Sequence, residues 1–118
     1  MTLTFTIPSP PSVNNLFANV PGKGRVKSER YRIWANAAGW AMVTGVHHWK
    51  QLSGPVAVEI ISGNGRQDID NCAKGILDLL TDMAVIADDK QVVDLRIIRG
   101  GKPREALVSV RSIEAGRA

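Results

Sequence analysis

The chain has 118 residues, 44% of them hydrophobic, enough for one buried core and too few for two ordinary domains. Fifteen Lys and Arg against eleven Asp and Glu leave a net charge of +4, an excess that suits an anionic partner. A single cysteine, Cys72, excludes an intramolecular disulfide and a Cys-rich zinc site. No apolar stretch approaches membrane-spanning length, and Met1 to Ile7 does not read as a secretory signal, so a cytoplasmic protein with no membrane partner is expected.

Leu3, Phe5 and Ile7 alternate with Thr2, Thr4 and Thr6, the period-two pattern of a strand with one buried face. Pro8, Pro10 and Pro11 end it. From there to about Lys27 the residues read as a long loop carrying Asn14, Asn15 and the basic cluster Lys23, Arg25, Lys27, Arg30 and Arg32 that spills into the next element. Ser28 is placed to cap a first helix of about five turns whose inward face is expected to be Ile33, Ala37, Ala38, Ala41 and Met42, with most of the area of Trp34, Trp40 and Trp49 in the core. Val56, Val58 and Ile60 give a second strand, with Glu59 on its other face.

Asp70 opens a second helix in which Ala73, Ile76, Leu77, Leu80 and Met83 share a face, ending near Ala84. Val92 to Ile98 and Ala106 to Ile113 read as two further strands. The Gly100-Gly101-Lys102-Pro103 turn between them predicts a hairpin. The order strand, helix, strand, helix, strand, strand predicts a single α/β (α+β) domain over residues 1–118, with one sheet and two helices.

Chemistry concentrates in the acidic residues. Asp68 and Asp70 flank Ile69, and in extended backbone residues two apart point to the same side. Lys74 follows Asp70 by one helical turn, and Asp88 and Asp89 enter the next strand, where one of them is able to join the others. Carboxylates grouped this way suit a hard divalent cation such as Mg²⁺, and a metal with a neighbouring lysine suits phosphodiester hydrolysis on a basic surface.

Each residue also has a plainer reading. Asp70 serves as a helix cap. Lys74 pairs with Asp70 or Asp78 on the helix surface, and Asp88-Asp89 forms a turn. Asp82 and Asp94 are solvated, His47 and His48 close the first helix without facing each other, and Cys72 is a small spectator. The Asp-x-Asp pattern by itself also fits phosphatases.

Taken together, Asp68-Ile69-Asp70-Asn71, Lys74 and Asp88-Asp89-Lys90-Gln91-Val92-Val93-Asp94 resemble the RusA family of Holliday junction resolvases, and Pro8-Ser9-Pro10-Pro11-Ser12-Val13-Asn14-Asn15 resembles the segment after that family's first strand. The resemblance implies a RusA-like fold with one mixed sheet of about four strands, a homodimer, Mg²⁺ or Mn²⁺ dependence, and paired cleavage of four-way DNA junctions in recombination and repair. It assigns Asp68, Asp70 and Asp89 as the metal-holding catalytic acids, with Lys74 as base or electrostatic partner. Where the family carries a basic run into the first Asp, this chain has Asn64-Gly65-Arg66-Gln67. Arg66, Asn14, Asn15, Lys23, Arg25, Lys27, Arg30, Lys102 and Arg104 are the expected DNA contacts. The alternatives are a module that binds branched DNA without cutting it, a nuclease for flaps or forks, and a phosphatase of small phosphoesters.

Overall fold

The computed structural model describes residues 2–11, 17–22, 24–63 and 73–113. Their order is β1 (Thr2–Pro8), β2 (Phe17–Val20), β3 (Gly24–Lys27), α1 (Glu29–Gly45), β4 (Val56–Ser62), α2 (Ala73–Asp82), a 3₁₀ turn (Asp89–Gln91), β5 (Val92–Arg99) and β6 (Glu105–Ser112). Four strands make one mixed sheet in the order β1-β6-β4-β5, so the α+β reading with four main strands and two helices is borne out. β2 and β3 form a separate antiparallel ribbon, with Phe17 opposite Lys27, where the sequence reads as loop.

One face of the sheet is built by alternation. Leu3, Phe5 and Ile7 of β1, Val56, Val58 and Ile60 of β4, and Ala106, Val108 and Val110 of β6 are all buried. The register aligns them: Val110 lies opposite Leu3 and Val58, and Val108 opposite Phe5 and Ile60. α1 covers β1, and Ile76, Leu79 and Leu80 of α2 complete the core. Ser28 caps α1 as its sequence suggests, its Oγ accepting from the Tyr31 amide at 3.1 Å.

The predicted inward face of α1 is corrected by about a sixth of a turn. Tyr31, Trp34, Ala38 and Met42 are buried, whereas Ile33 is 63% exposed. The two aromatic side chains bury more area than Ile33 would, and they set the rotation of the helix. The same rotation leaves Trp40 68% exposed, against its expected place in the core. Trp34 donates its indole N–H to the Pro8 carbonyl at 2.8 Å. Trp49 donates to the Met83 carbonyl at 3.1 Å and sets its ring edge-on to Phe5.

The expected β5–β6 hairpin does not form. β6 lies between β1 and β4, antiparallel to both, and β5 pairs parallel with the far side of β4. Burial explains the choice: Ala106, Val108 and Val110 are almost fully enclosed and need neighbours on both sides, while β5 carries Asp94, Arg96 and Arg99 and is suited to an edge. α2 is the crossover between the parallel strands β4 and β5. The 100–104 segment therefore steps across the end of β4. The Gly100 amide donates to the Ser62 carbonyl and the Gly63 amide to the Glu105 carbonyl, each at 2.9 Å. Gly101 and Arg104 take positive φ in this step. Among the described residues no helix is long and apolar enough to cross a membrane.

Candidate active site

α2 has one buried flank, Ile76, Leu79 and Leu80, and a polar flank that carries Lys74, Asp78, Thr81 and Asp82. The chain leaves α2 through Ala84, which has a φ of 58°, and buries Val85 and Ile86 in the core. Ala87, Asp88 and Asp89 then emerge beside the polar flank. Together these seven residues line an open cleft of about 370 Å³. The fold thus brings Lys74 and Asp89, one on each side of the core-anchored turn, to the same cleft.

Asp88 and Asp89 are adjacent yet differently engaged. Asp88 caps the 3₁₀ turn: its Oδ1 accepts from the Lys90 amide at 2.9 Å, and the Gln91 side chain reaches back to complete a capping box. The Lys90 amide, followed by a hydrogen bond with the Asp89 carboxyl, holds the Asp88 carboxyl below its usual range. Asp89 is the first residue of the turn and stands exposed at the cleft. The expectation of a plain turn is thus met by Asp88, while Asp89 presents an exposed carboxylate to the cleft.

Lys74 Nζ lies 3.5 Å from Asp78 Oδ1, one of the two pairings its sequence position offers. Lys74 is half exposed, and such an i,i+4 pair contributes roughly 0.3–0.5 kcal/mol, too little to fix the ammonium against a stronger anionic ligand. Asp82, expected to be solvated, also lines the cleft and accepts from the Tyr31 hydroxyl at 3.5 Å. Burial, then the charges of Asp82 and Asp78, raise the Tyr31 pKa well above its ordinary value, so it remains a neutral donor. Sequence reasoning passed over Asp78 and Asp82 as cleft residues. The four-residue spacing from Lys74 to Asp78 and from Asp78 to Asp82, which sets all three along one side of the helix, is the available signal.

Of the other predicted site residues, Asp68, Asp70, Asn14, Asn15, Lys23 and Arg66 lie outside the described residues. Arg25 and Lys27 belong to β3, and Arg30 stands exposed in the first turn of α1. Lys102 and Arg104 are exposed on the step across β4, and the Arg104 carbonyl accepts from the Ser9 amide at 2.9 Å. That bond joins the step to the segment that follows β1. Among the described residues no three His, Cys, Asp or Glu side chains converge as a metal site.

The fold and cleft define a small α+β domain with a lysine and a set of carboxylates on one open surface. Residues 8–111 match the family model described as Endodeoxyribonuclease RusA. The chain is 31% identical over 101 residues to the crossover junction endodeoxyribonuclease RusA of Escherichia coli strain K12 and to that of Enterobacteria phage 82, covering 83% of this chain and 82% of each relative. A protein of the same name from Escherichia coli O139:H28 is 30% identical over 109 residues, covering 86% of this chain and 89% of its own. The chain belongs to the RusA endodeoxyribonuclease family.

Proposed function

We propose that this protein is a divalent-metal-dependent endodeoxyribonuclease that resolves four-way DNA junctions by paired nicks, in recombination and repair. The observation that carries the reading is the meeting of Lys74 and Asp89 at one open cleft in a chain of this family. The names of its relatives supply the substrate class.

Asp68, Asp70 and Asp89 are assigned to hold Mg²⁺ or Mn²⁺. The described part of this donor set, the Asp89 carboxylate beside further carboxylates, is all oxygen and open to solvent, which suits a hard cation that keeps some of its waters. When bound, the ion supplies Lewis acidity and positive charge at the scissile phosphate. Lys74 adds a second positive charge from the helix side and stabilises the charge that builds on the phosphoryl oxygens. Arg30, Lys102 and Arg104, with Asn14, Asn15, Lys23, Arg25, Lys27 and Arg66, bind the phosphate backbone and place the branch point. An isologous homodimer matches the two-fold symmetry of a four-way junction and supplies one cleft per nicked strand. A DNA substrate is in keeping with action in the cytoplasm.

The test is a gel assay of a synthetic four-way junction and its linear duplex, in Mg²⁺ and in EDTA. Paired nicks near the branch point, dependent on metal and absent from the duplex, are expected. Binding without nicks, in Mn²⁺ as well as Mg²⁺, would replace the reading with a non-cleaving branched-DNA binder; stronger cutting of flaps or forks would move the substrate. Lys74→Ala is expected to lower the single-turnover nicking rate about 10²-fold or more while junction affinity changes by less than threefold. Its melting temperature should stay within a degree or two, because the lost ion pair is weak. A large loss of affinity instead would make Lys74 a DNA contact.

A further inference from the structure

We infer that Gln91 is the positioning residue for Asp89: it anchors the acidic turn to the core and so fixes where that carboxylate stands. The inference rests on the nuclease reading of the cleft.

Asp89 sits in a three-residue 3₁₀ turn with no buried residue of its own. Such turns have poor internal hydrogen-bond geometry, and residues 87–90 are exposed, so burial does not hold the turn in place. A metal-binding or catalytic group must be held to within about 0.5 Å by its supporting shell. The Gln91 side chain supplies that support. Its Oε1 accepts from the Ala87 amide at 2.7 Å and the Asp88 amide at 3.2 Å. Its Nε2 donates to the Leu52 carbonyl at 3.0 Å and the Gly54 carbonyl at 2.9 Å.

A carboxamide has two acceptor sites and two donor hydrogens, and all four are used here. The arrangement also fixes the amide's orientation, since reversal would set NH₂ against two N–H groups and oxygen against two carbonyls. The anchor is firm: Leu52 is buried, and its amide donates to the carbonyl of buried Val85 at 2.9 Å. Gln91 thereby ties Ala87 and Asp88, the two residues that lead into the turn, to the segment before β4 without itself lining the cleft. Leu52 and Val85 belong to the folded core, and Gly54 lies in the exposed turn that leads into β4, so the position of Asp89 is tied to the core through one side chain.

The experiment uses Gln91→Met, which keeps length and removes all four bonds, and Gln91→Glu, which keeps the acceptor and sets a carboxylate oxygen against two carbonyls. Both are assayed well below their melting temperatures. Both should need about tenfold or more Mg²⁺ for half-maximal junction nicking, the range seen when outer partners of metal ligands are lost, with junction affinity in EDTA unchanged within twofold. Excess Mn²⁺ should restore much of the rate. A purely structural role would lower the folded fraction and leave the Mg²⁺ dependence where it was; that result, or wild-type nicking by Gln91→Met, overturns the inference. Hydrogen exchange separates this failure from failure of the nuclease reading. Even if the wild-type protein cuts no junction, Gln91→Met should expose the Ala87 and Asp88 amides, and unchanged protection at both would remove the anchor.

Discussion

Asp89→Asn protein is expected to bind a four-way junction and leave it uncut, while Asp88→Asn protein cuts at nearly the wild-type rate. The two substitutions remove the same charge from neighbouring positions, so long-range electrostatics does not distinguish them. What differs is the job of each carboxylate. Asp88 accepts the Lys90 amide as a cap, and Asn caps as well as Asp, so its replacement should change nicking by no more than about threefold. Asp89 is assigned to the metal, and an amide oxygen is a far weaker ligand for Mg²⁺. Its loss should exceed the roughly 10–100-fold effect of losing an outer-shell partner, giving more than a 100-fold fall in single-turnover rate. Junction affinity should be unchanged or tighter, since one negative charge near the phosphates is gone. The reverse pattern, with Asp88→Asn inactive and Asp89→Asn active, would exchange the two assignments.

The largest effect on stability is expected at Gly63. A Cβ there would overlap the Lys102 carbonyl and crowd the Glu105 carbonyl. Both are backbone atoms of the step across β4, held by the Gly63–Glu105 and Gly100–Ser62 hydrogen bonds, so they cannot swing aside as a side-chain end would. Gly63→Ala should cost about 2–4 kcal/mol through overpacking and lower the melting temperature by about 8 °C or more. Gly45→Ala, at the last residue of α1 with open space around it, is the matched control and should be neutral or slightly stabilising. Equal melting temperatures for the two variants would show that the 100–104 segment moves away freely.

Periodicity made the four main strands and both helices legible, because Leu3-Phe5-Ile7, Val56-Val58-Ile60 and Ala106-Val108-Val110 each line one face of the sheet. Strand order was not legible. Gly100-Gly101-Lys102-Pro103 is sound turn chemistry, but a turn signal does not say whether the following strand pairs with the last one or passes it. The difference lay in burial on both sides of β6, a tertiary property. The β2–β3 ribbon was hidden for a related reason: each strand has four residues, too few to show a period. At the site, Lys74 and Asp89 line one cleft, while Asp68 and Asp70 lie outside the described residues. The capping role of Asp88 is written in the sequence as an Asp-x-x-Gln capping box, which is hard to see because no long helix follows it.

The position of β6 also governs when the molecule can fold during its own synthesis. The strand that separates β1 from β4 is made after both of them, and it sets Thr2 opposite Arg111. Until residues 105–112 leave the ribosome, β1 and β4 each present an unpaired edge and the shared apolar face has no middle. Helices α1 and α2 have local contacts to form early, but closure of the sheet waits for the β1–β6 pairing, whose partners are far apart in sequence. Until β6 has been made, a nascent chain is thus exposed to edge-to-edge association along β1 and β4, and closure of the sheet follows the synthesis of residues 105–112.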